Sequence, residues 1–321
     1  MIYLFLVAQL VMVLLLSLPA YAYGLRLERW LFGSARLSSA GGRAWLAPLS
    51  DAWRCLCRPN RVTSRSMSRR MGLASGLAVG ASLAMFLVIP WGRLAVGGRA
   101  VALLASGPKT LLAALFLEGL LLLAMALYRS ALPTSEARRE SGRVLAGAGV
   151  YGLAALLALG GPIMLAGSFD LDRMVAAQAL NLPLVVYQPL GALLCLLAMA
   201  LGVGRVPLML PGSRDRLLES YQLQHSGVGL ALFHWSESLH LFAWAALWAT
   251  VYLGGAEGVT LGGPVGLLLT SLLAFGVIIW IRNRLLAGLR GRWGRYLPPL
   301  LLGLGLVNMA LTALMLYWGQ A

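Results

Sequence analysis

Eight long apolar stretches dominate this 321-residue sequence and limit what it can fold into. The hydrocarbon core of a bilayer is about 30 Å thick, so a helix needs about 20 apolar residues to cross it. The stretches that qualify lie at about residues 2–24, 71–92, 108–128, 144–167, 183–203, 228–253, 262–281 and 297–318. Each is continuous rather than alternating, which predicts helices and not barrel strands. We therefore expect an all-α integral membrane protein, a single membrane domain over residues 1–321 built as a bundle of eight transmembrane helices.

The composition indicates that lipid, rather than water, surrounds much of the chain. Hydrophobic residues make up 60% of the sequence and charged residues 12%, whereas about a quarter of the residues of a soluble domain are charged. So few charges cannot cover the surface of a soluble protein of this size. A shorter apolar stretch, 98–107, is too short to span a bilayer and is interpreted as part of a loop.

Basic residues are distributed unevenly among the connections between the apolar stretches. Residues 25–70, 129–143, 204–227 and 282–296 hold 22 of the 26 arginines and lysines. Because such an excess marks the cytoplasmic side, both chain ends are predicted to lie on the opposite, outer side (N-out/C-out). The membrane is predicted to be the cytoplasmic (inner) membrane. A nucleic-acid site needs its basic groups on one solvated face, so the positive charge is read as a topology signal and no nucleic-acid partner is expected.

The segment around the first apolar stretch has two informative features. No charge occurs in the first 25 residues, so the basic leader of a cleaved signal peptide is missing and the stretch is interpreted as a retained helix. Residues 41–58 place Trp45, Leu49 and Trp53 at near-helical spacing with arginines between them. This pattern predicts an amphipathic helix on the inner membrane surface, after the first span.

Ionisable residues inside the predicted spans are the candidates for chemistry, because each costs several kcal/mol in lipid unless it is paired or hydrated. Glu118 lies in the third span, and Glu237 lies in the sixth between His234 and His240. The three-residue spacing puts His234, Glu237 and His240 on one inclined stripe of a helix. These three side chains fit a proton relay through water, a polar contact between helices or a metal site. Glu118 either continues the polar path or pairs with an arginine.

A metal centre is the least favoured of these interpretations. It needs a third or fourth ligand at defined spacing, and no such ligand is evident. Cys55, Cys57 and Cys195 form neither a disulfide framework nor a metal quartet, so they are interpreted as incidental thiols and no metal is predicted. The glycine repeat in residues 72–80 is interpreted as a mark of close helix packing.

Five short motifs occur in an order that resembles a known family. They are PLSDAWR (48–54), VIPWG (88–92), IMLAGSFDLDRMVAAQ (163–178), HSGVGLALFHWSESLH (225–240) and RGRWGRYLPPLLLGLGLVNMALTA (290–313). With the eight spans they resemble the subunit 1 family of respiratory complex I. That family includes the equivalent membrane subunits of bacterial NADH-quinone oxidoreductase, formate hydrogenlyase and membrane hydrogenases. The resemblance covers nearly the whole chain and puts Glu237 on the family's intramembrane glutamate.

The resemblance implies a non-catalytic subunit at the heel of a membrane arm, which binds no redox cofactor itself. Its implied partners are a peripheral iron–sulfur arm, hydrogenase-like subunits and antiporter-like membrane subunits. The loops that resemble the docking and quinone-cavity loops contain Arg36, Asp51, Arg54, Arg205, Arg214, Arg216 and His225. The remaining protonatable path is expected to use Glu237, with His234, His240 and Glu118.

Several acids of the family pattern are absent. Gly152 stands where the family has an acid in the fourth span, the loop 201–217 is basic where the family's is acidic, and Gln224-His225 replaces Glu-Tyr. Fixed arginines repel protons from such a path. These differences weigh against quinone-coupled pumping, so a hydrogenase or formate-hydrogenlyase type of complex is as good a fit as an NADH:quinone type.

Two other classes of protein fit the same residues. One is an independent ion or solute transporter, which should give flux when reconstituted alone in proteoliposomes. The other is a purely structural membrane adaptor, in which the polar residues only pack helices and Glu237→Gln leaves the activity of the assembled complex intact.

Overall fold

The computed structural model describes residues 57, 65–96, 99–102, 109–131, 135–179, 182–202, 228–257, 263–288 and 296–319. The helices are α1 (Arg65–Val88), α2 (Thr110–Ser130), α3 (Ser135–Ala166), α4 (Leu171–Ala179), α5 (Leu184–Tyr187), α6 (Pro189–Gly202), α7 (Val228–Leu253), α8 (Pro264–Gly288) and α9 (Leu297–Gly319). Strands β1 (Arg93–Val96) and β2 (Arg99–Ala102) follow α1, and a 3-10 turn, Gly255–Glu257, follows α7. The predicted first span and, apart from Cys57, the predicted amphipathic helix lie outside the described residues.

Five of the described helices are long and apolar enough to cross a membrane. They are Ser68–Val88, Thr110–Ser130, Leu145–Ala166, Pro264–Ile281 and Leu297–Trp318. Each overlaps one of the apolar stretches predicted from the sequence, and a helix of 21 residues is about 31 Å long, which matches a bilayer core. The chain is therefore a multi-pass, predominantly helical membrane protein.

A β-hairpin occupies much of the connection between α1 and α2. Its strands pair antiparallel, with Arg93 opposite Ala102 and Val96 opposite Arg99. The stretch 98–107, interpreted from the sequence as part of a loop, thus carries the strand Arg99–Ala102, while the fold class stays all-α as predicted. Gly97-Gly98 links the two strands in the sequence, and such a dipeptide favours the tight turns that join hairpin strands.

The helix α7 forms the centre of the bundle. It packs against α1 and α8, and more lightly against α6, α4 and α5. Every residue from Leu239 to Tyr252 is buried, so this part of the helix meets protein on all sides. A helix in that position needs no lipid-facing stripe, and α7 is not one of the five helices that qualify as spans by length and hydropathy.

Serine side chains of α1 bond directly to the backbone of α7. The Ser75 and Ser82 hydroxyls are buried and donate hydrogen bonds to the carbonyl oxygens of Gly229 (2.7 Å) and Ser236 (3.2 Å). A Cβ at any residue of the glycine repeat, Gly72, Gly76 or Gly80, would meet no atom within 4 Å in the part of the chain that the structure describes. Close packing at this repeat therefore stays a prediction.

The predicted span 183–203 is broken at Gln188. Helix α5 ends at Tyr187, Gln188 has φ −131° and ψ 52°, and α6 starts at Pro189. Proline lacks a backbone N–H and disfavours the helical conformation of the residue before it, which explains the break. The continuous helix that hydropathy predicts is therefore two helices, the second of 14 residues.

A second proline, Pro162, lies inside α3. Because it has no N–H, it leaves the carbonyl of Ala158, four residues earlier, without its helical donor. The buried Tyr252 hydroxyl donates to that carbonyl oxygen at 2.9 Å. The last turns of α7 thus compensate for the proline of a neighbouring helix.

Gln178 connects three elements at the end of the bundle that carries the hairpin. Its side-chain amide donates to the carbonyl oxygens of Met174 (3.2 Å) and Val251 (3.0 Å) and accepts from the backbone N–H of Leu184 (3.0 Å). Here α4, α7 and the start of α5 meet. Gln178 belongs to the motif 163–178, so this part of the motif holds the fold together.

Tryptophans near the predicted membrane interfaces differ in burial. Trp280 and Trp318 are exposed, as side chains of an interfacial belt would be. Trp91 is buried, stacks on Phe86 at a ring-centroid distance of 6.1 Å, and donates a hydrogen bond to the Phe86 carbonyl oxygen at 3.0 Å. The ring of Trp91 therefore packs inside the protein, where the motif VIPWG follows the end of α1.

Candidate functional site

Two helices that both pack against α1 bring an acid and an imidazole together. Helix α1 contacts both α2 and α7. Beside it, Glu118 of α2 reaches His240 of α7, and Glu118 Oε2 is hydrogen-bonded to His240 Nε2. The His240 side chain is almost fully buried and the Glu118 side chain keeps 17% of its surface. The sequence alone left the partner of Glu118 open between the polar path and an arginine, and the structure supplies a histidine.

Trp244, one turn beyond His240, completes the site. Its indole Nε1 lies 2.7 Å from Glu118 Oε2 and 2.8 Å from His240 Nε2. An indole N–H only donates, so the three atoms share at most two protons. The proton between Glu118 and His240 lies either on Nε2, in which case Glu118 Oε2 accepts from both the indole and the imidazole, or on Oε2, in which case the carboxyl donates to Nε2.

The arrangement is suited to holding one mobile proton. A carboxylate and an imidazole in contact stabilise each other's charged forms, and the low polarity of the surroundings strengthens that attraction. His240 Nδ1 is buried and has no hydrogen-bond partner within the described chain. A water there could receive or supply a proton on the ring face away from Glu118.

Glu237 lies one turn before His240 and belongs to a second polar group. It is 7% exposed and acts electrostatically on Tyr128 and Arg129 at the end of α2. Tyr128 stacks on Phe233 of α7 at a centroid distance of 4.0 Å. The two helices therefore hold two polar groups in succession along α7, one around Glu237 and one around Glu118.

The other predicted site residues differ in what the structure says of them. His234 lies on α7, but its side chain is not among those described, so the full stripe His234–Glu237–His240 stays a prediction. The predicted docking residues Arg36, Asp51, Arg54, Arg205, Arg214, Arg216 and His225 lie outside the described residues. Among the described side chains, no three of His, Cys, Asp and Glu come together as a possible metal site.

Trp244 is the site residue that sequence reasoning missed. The candidates that the sequence indicates are ionisable side chains, and an indole does not ionise. A signal was nevertheless present, because Trp244 follows His240 by four residues and so lies on the same helical face. Its buried N–H then needs an acceptor, and Glu118 is that acceptor.

Taken together, the apolar helices and the buried acid–imidazole pair define a multi-pass membrane protein whose ionisable groups meet inside the bundle. A family model described as NADH dehydrogenase matches residues 8–313. The chain belongs to this NADH dehydrogenase family. The resemblance to subunit 1 of complex I, and with it the assignment to a membrane subunit of that type of oxidoreductase, is confirmed.

Individual relatives agree with the family, and each is the equivalent subunit of an NADH-quinone oxidoreductase. The relative from Syntrophotalea carbinolica is 28% identical over 321 aligned residues, which cover 97% of this chain and 96% of that protein. A relative from Rhodopseudomonas palustris is 30% identical over 318 residues, or 95% and 93% of the two chains. A relative from Cereibacter sphaeroides is 36% identical over 157 residues. That last match spans about half the length of each chain, 49% in both cases.

Proposed function

We propose that this chain is the membrane anchor, or heel, subunit of a complex-I-type oxidoreductase and that its Glu118–His240 pair takes part in moving protons or another ion. The observation that carries the second part is the contact itself. Two ionisable groups from different helices share a hydrogen bond inside an apolar bundle, where each alone would be costly. Intramembrane groups of this kind are typical of ion paths.

The anchoring role is supported by the charge distribution. We propose eight spans in the cytoplasmic (inner) membrane, with both chain ends on its outer side, so that the arginine-rich connections face the cytoplasm. A peripheral iron–sulfur arm would dock there through loops that contain Arg36, Asp51, Arg54, Arg205, Arg214, Arg216 and His225. Hydrogenase-like and antiporter-like subunits are the other proposed partners, and the chain itself is proposed to carry no redox cofactor. A quinone site is the alternative for the same loops.

Removal of the Glu118 charge in the assembled complex tests the relay. Glu118→Gln keeps the shape and a hydrogen-bonding oxygen but cannot exchange a proton at neutral pH. We expect at least a tenfold loss of acidification in inverted membrane vesicles, because proton transfer by a positioned group contributes that much or more. Assembly, checked on a native gel, should persist. Acidification is measured by the fluorescence quenching of a pH dye. The substrate that drives it is NADH, formate or hydrogen, whichever the complex oxidises.

The matched control is Glu257→Gln, because Glu257 is an exposed glutamate on the 3-10 turn after α7. It should leave acidification unchanged. If Glu118→Gln acidifies vesicles at the wild-type rate for the same rate of substrate oxidation, the relay is refuted.

A purely structural role for the pair is the second candidate, and Trp244 supports it. Its indole and the imidazole of His240 together satisfy Glu118 Oε2, as they would in a polar contact that only joins helices. Under that role, Glu118→Gln would lower the thermal stability of the complex and leave acidification per oxidised substrate intact.

An independent transporter is tested separately. The purified chain alone, reconstituted in proteoliposomes that contain a pH dye, should show no proton flux under an imposed gradient if it works as a subunit. Flux that Glu118→Gln abolishes would favour the transporter instead.

A further inference from the structure

Two buried amide side chains face each other at the break between α5 and α6. Gln188 stands at the break, and Asn308 lies on α9; each is only 3% exposed. Gln188 Nε2 donates to the Thr312 hydroxyl. That hydroxyl in turn donates to the backbone carbonyl oxygen of Asn308 at 2.8 Å. We call Gln188, Asn308 and Thr312 the amide cluster.

Two polar atoms of this cluster take part in none of these hydrogen bonds. Gln188 Oε1 and Asn308 Nδ2 are buried, and neither has a hydrogen-bond partner among the described residues. Leaving such a group without a partner costs about 1–3 kcal/mol, so native proteins avoid it. One atom is an acceptor and the other a donor.

The two atoms lie close to each other beside Gly191. A Cβ built on Gly191 would lie 2.9 Å from Asn308 Nδ2, 3.1 Å from Gln188 Oε1 and 3.3 Å from the Ala158 carbonyl oxygen. These distances are too short for an unstrained side chain, so only glycine fits here without displacing its neighbours. Because the two amide atoms lie 2.9 and 3.1 Å from one point, they are at most about 6 Å apart, a distance that a single bridging molecule can span.

We propose that one ordered water molecule binds between the two amide groups, beside Gly191, and bridges Gln188 Oε1 to Asn308 Nδ2, joining α6 to α9 at the break before Pro189. The bridging species must donate to the first atom and accept from the second. A metal cation cannot accept a hydrogen bond from the amide N–H, and an anion cannot donate one to the amide oxygen. Water does both, and it finds a third partner in the Ala158 carbonyl, which Pro162 leaves without a helical donor.

The direct observation is density at this position in a high-resolution map of the full chain in its native assembly. We expect one peak within hydrogen-bond distance of both amide atoms. A map in which the Asn308 and Gln188 amides contact each other directly, with no peak between them, would overturn the proposal.

Substitution of Gly191 gives an independent test. Gly191→Ala adds a methyl group that presses on both amide groups and displaces the water without replacing its hydrogen bonds. Gly191→Ser is larger, but its hydroxyl can take the place of the water. If the site holds water, the serine variant should therefore unfold about 3 °C above the alanine variant.

Gly152 of α3 supplies the matched control, because a Cβ there meets no atom within 4 Å in the described structure. At that position alanine should be at least as stable as serine, following helix propensity. Unfolding can be followed with a fluorogenic maleimide that reacts with Cys195, a buried thiol one turn from Gly191, in a Cys55→Ser, Cys57→Ser background. A serine variant at 191 no more stable than the alanine variant would contradict the water site.

Asn308→Leu tests whether the hydroxyl of serine at position 191 bonds to Asn308. It removes the donor, so in this background the advantage of serine over alanine at position 191 should disappear. If the advantage persists unchanged, the serine hydroxyl is bonded elsewhere and the bridge is refuted.

Discussion

The site around Glu118 and the amide cluster around Gln188 solve the same problem with different chemistry. Both join helices that are distant in sequence through polar side chains in an apolar bundle. The first uses ionisable groups, and its Glu118 side chain keeps part of its surface. The second uses uncharged amides that are almost fully buried. The ionisable groups are thus held by pairing an acid with an imidazole, whereas the amides carry no charge that needs a partner.

The comparison suggests a division of tasks along the bundle. A buried amide cannot change its charge, so the amide cluster can only hold α3, α6 and α9 in place. The pair Glu118–His240 can exchange a proton and still connect α2 to α7. The largest functional effects of substitution should therefore fall on the pair, and purely structural effects on the cluster.

The largest expected effect comes from breaking the pair on one side. His240→Leu leaves the Glu118 carboxylate with only the Trp244 N–H, and the loss of one partner of a buried ionic pair costs about 3–5 kcal/mol. The thermal midpoint of the purified full chain in mild detergent measures this loss. Substitution of both partners, Glu118→Met with His240→Leu, should restore most of the stability but no acidification.

That double variant sharpens the contrast between stability and activity. Recovery of both would mean that the pair has no protonic role. Recovery of neither would mean that the surrounding helices cannot repack around apolar side chains.

A smaller effect is expected from crowding the amide cluster. Gly161 of α3 lies against the Gln188 side chain, and a Cβ there would overlap its amide group, with the amide carbon at 2.7 Å. Gly161→Ala should cost about 1–3 kcal/mol, the usual range for overpacking. Gly152→Ala on the same helix meets nothing within 4 Å among the described residues. It should be neutral or slightly stabilising, and equal midpoints for the two variants would contradict the packing described.

The smallest of these effects concerns the carbonyl that Pro162 leaves open. Tyr252→Phe removes the hydroxyl that donates to Ala158 and should cost about 1–2 kcal/mol. In a Pro162→Ala background the helix supplies its own N–H to that carbonyl, so the same substitution should cost less. The exposed Tyr317 gives the control, since Tyr317→Phe should leave the midpoint unchanged. Equal costs of Tyr252→Phe in both backgrounds would rule out the compensation.

Much of the fold follows from hydropathy because lipid imposes a minimum length on any apolar helix. The spans around 110–130 and 297–318 are predicted within about two residues for that reason. Interruptions follow from other physics. The break at Gln188 depends on Pro189, a signal present in the sequence but invisible to an average over apolar residues.

The site was predictable in part. Intramembrane acids and histidines identified Glu237, His240 and Glu118 as candidates, because lipid makes such residues expensive. Which of them meet is a tertiary fact, set by the way α2 and α7 both pack against α1. The glycine repeat in residues 72–80 shows the same limit, since spacing alone does not say which face of α1 a neighbour covers.

The burial of α7 has a consequence for biosynthesis. A segment that carries Glu237, His240 and several tryptophans gains little by moving from the translocon into lipid alone. Its stability in the bilayer comes from the helices that wrap it, of which α1 is synthesised earlier and α8 immediately afterwards. Retention of α7 in the membrane therefore depends on its neighbours, and truncation of the chain before α8 should leave it poorly inserted.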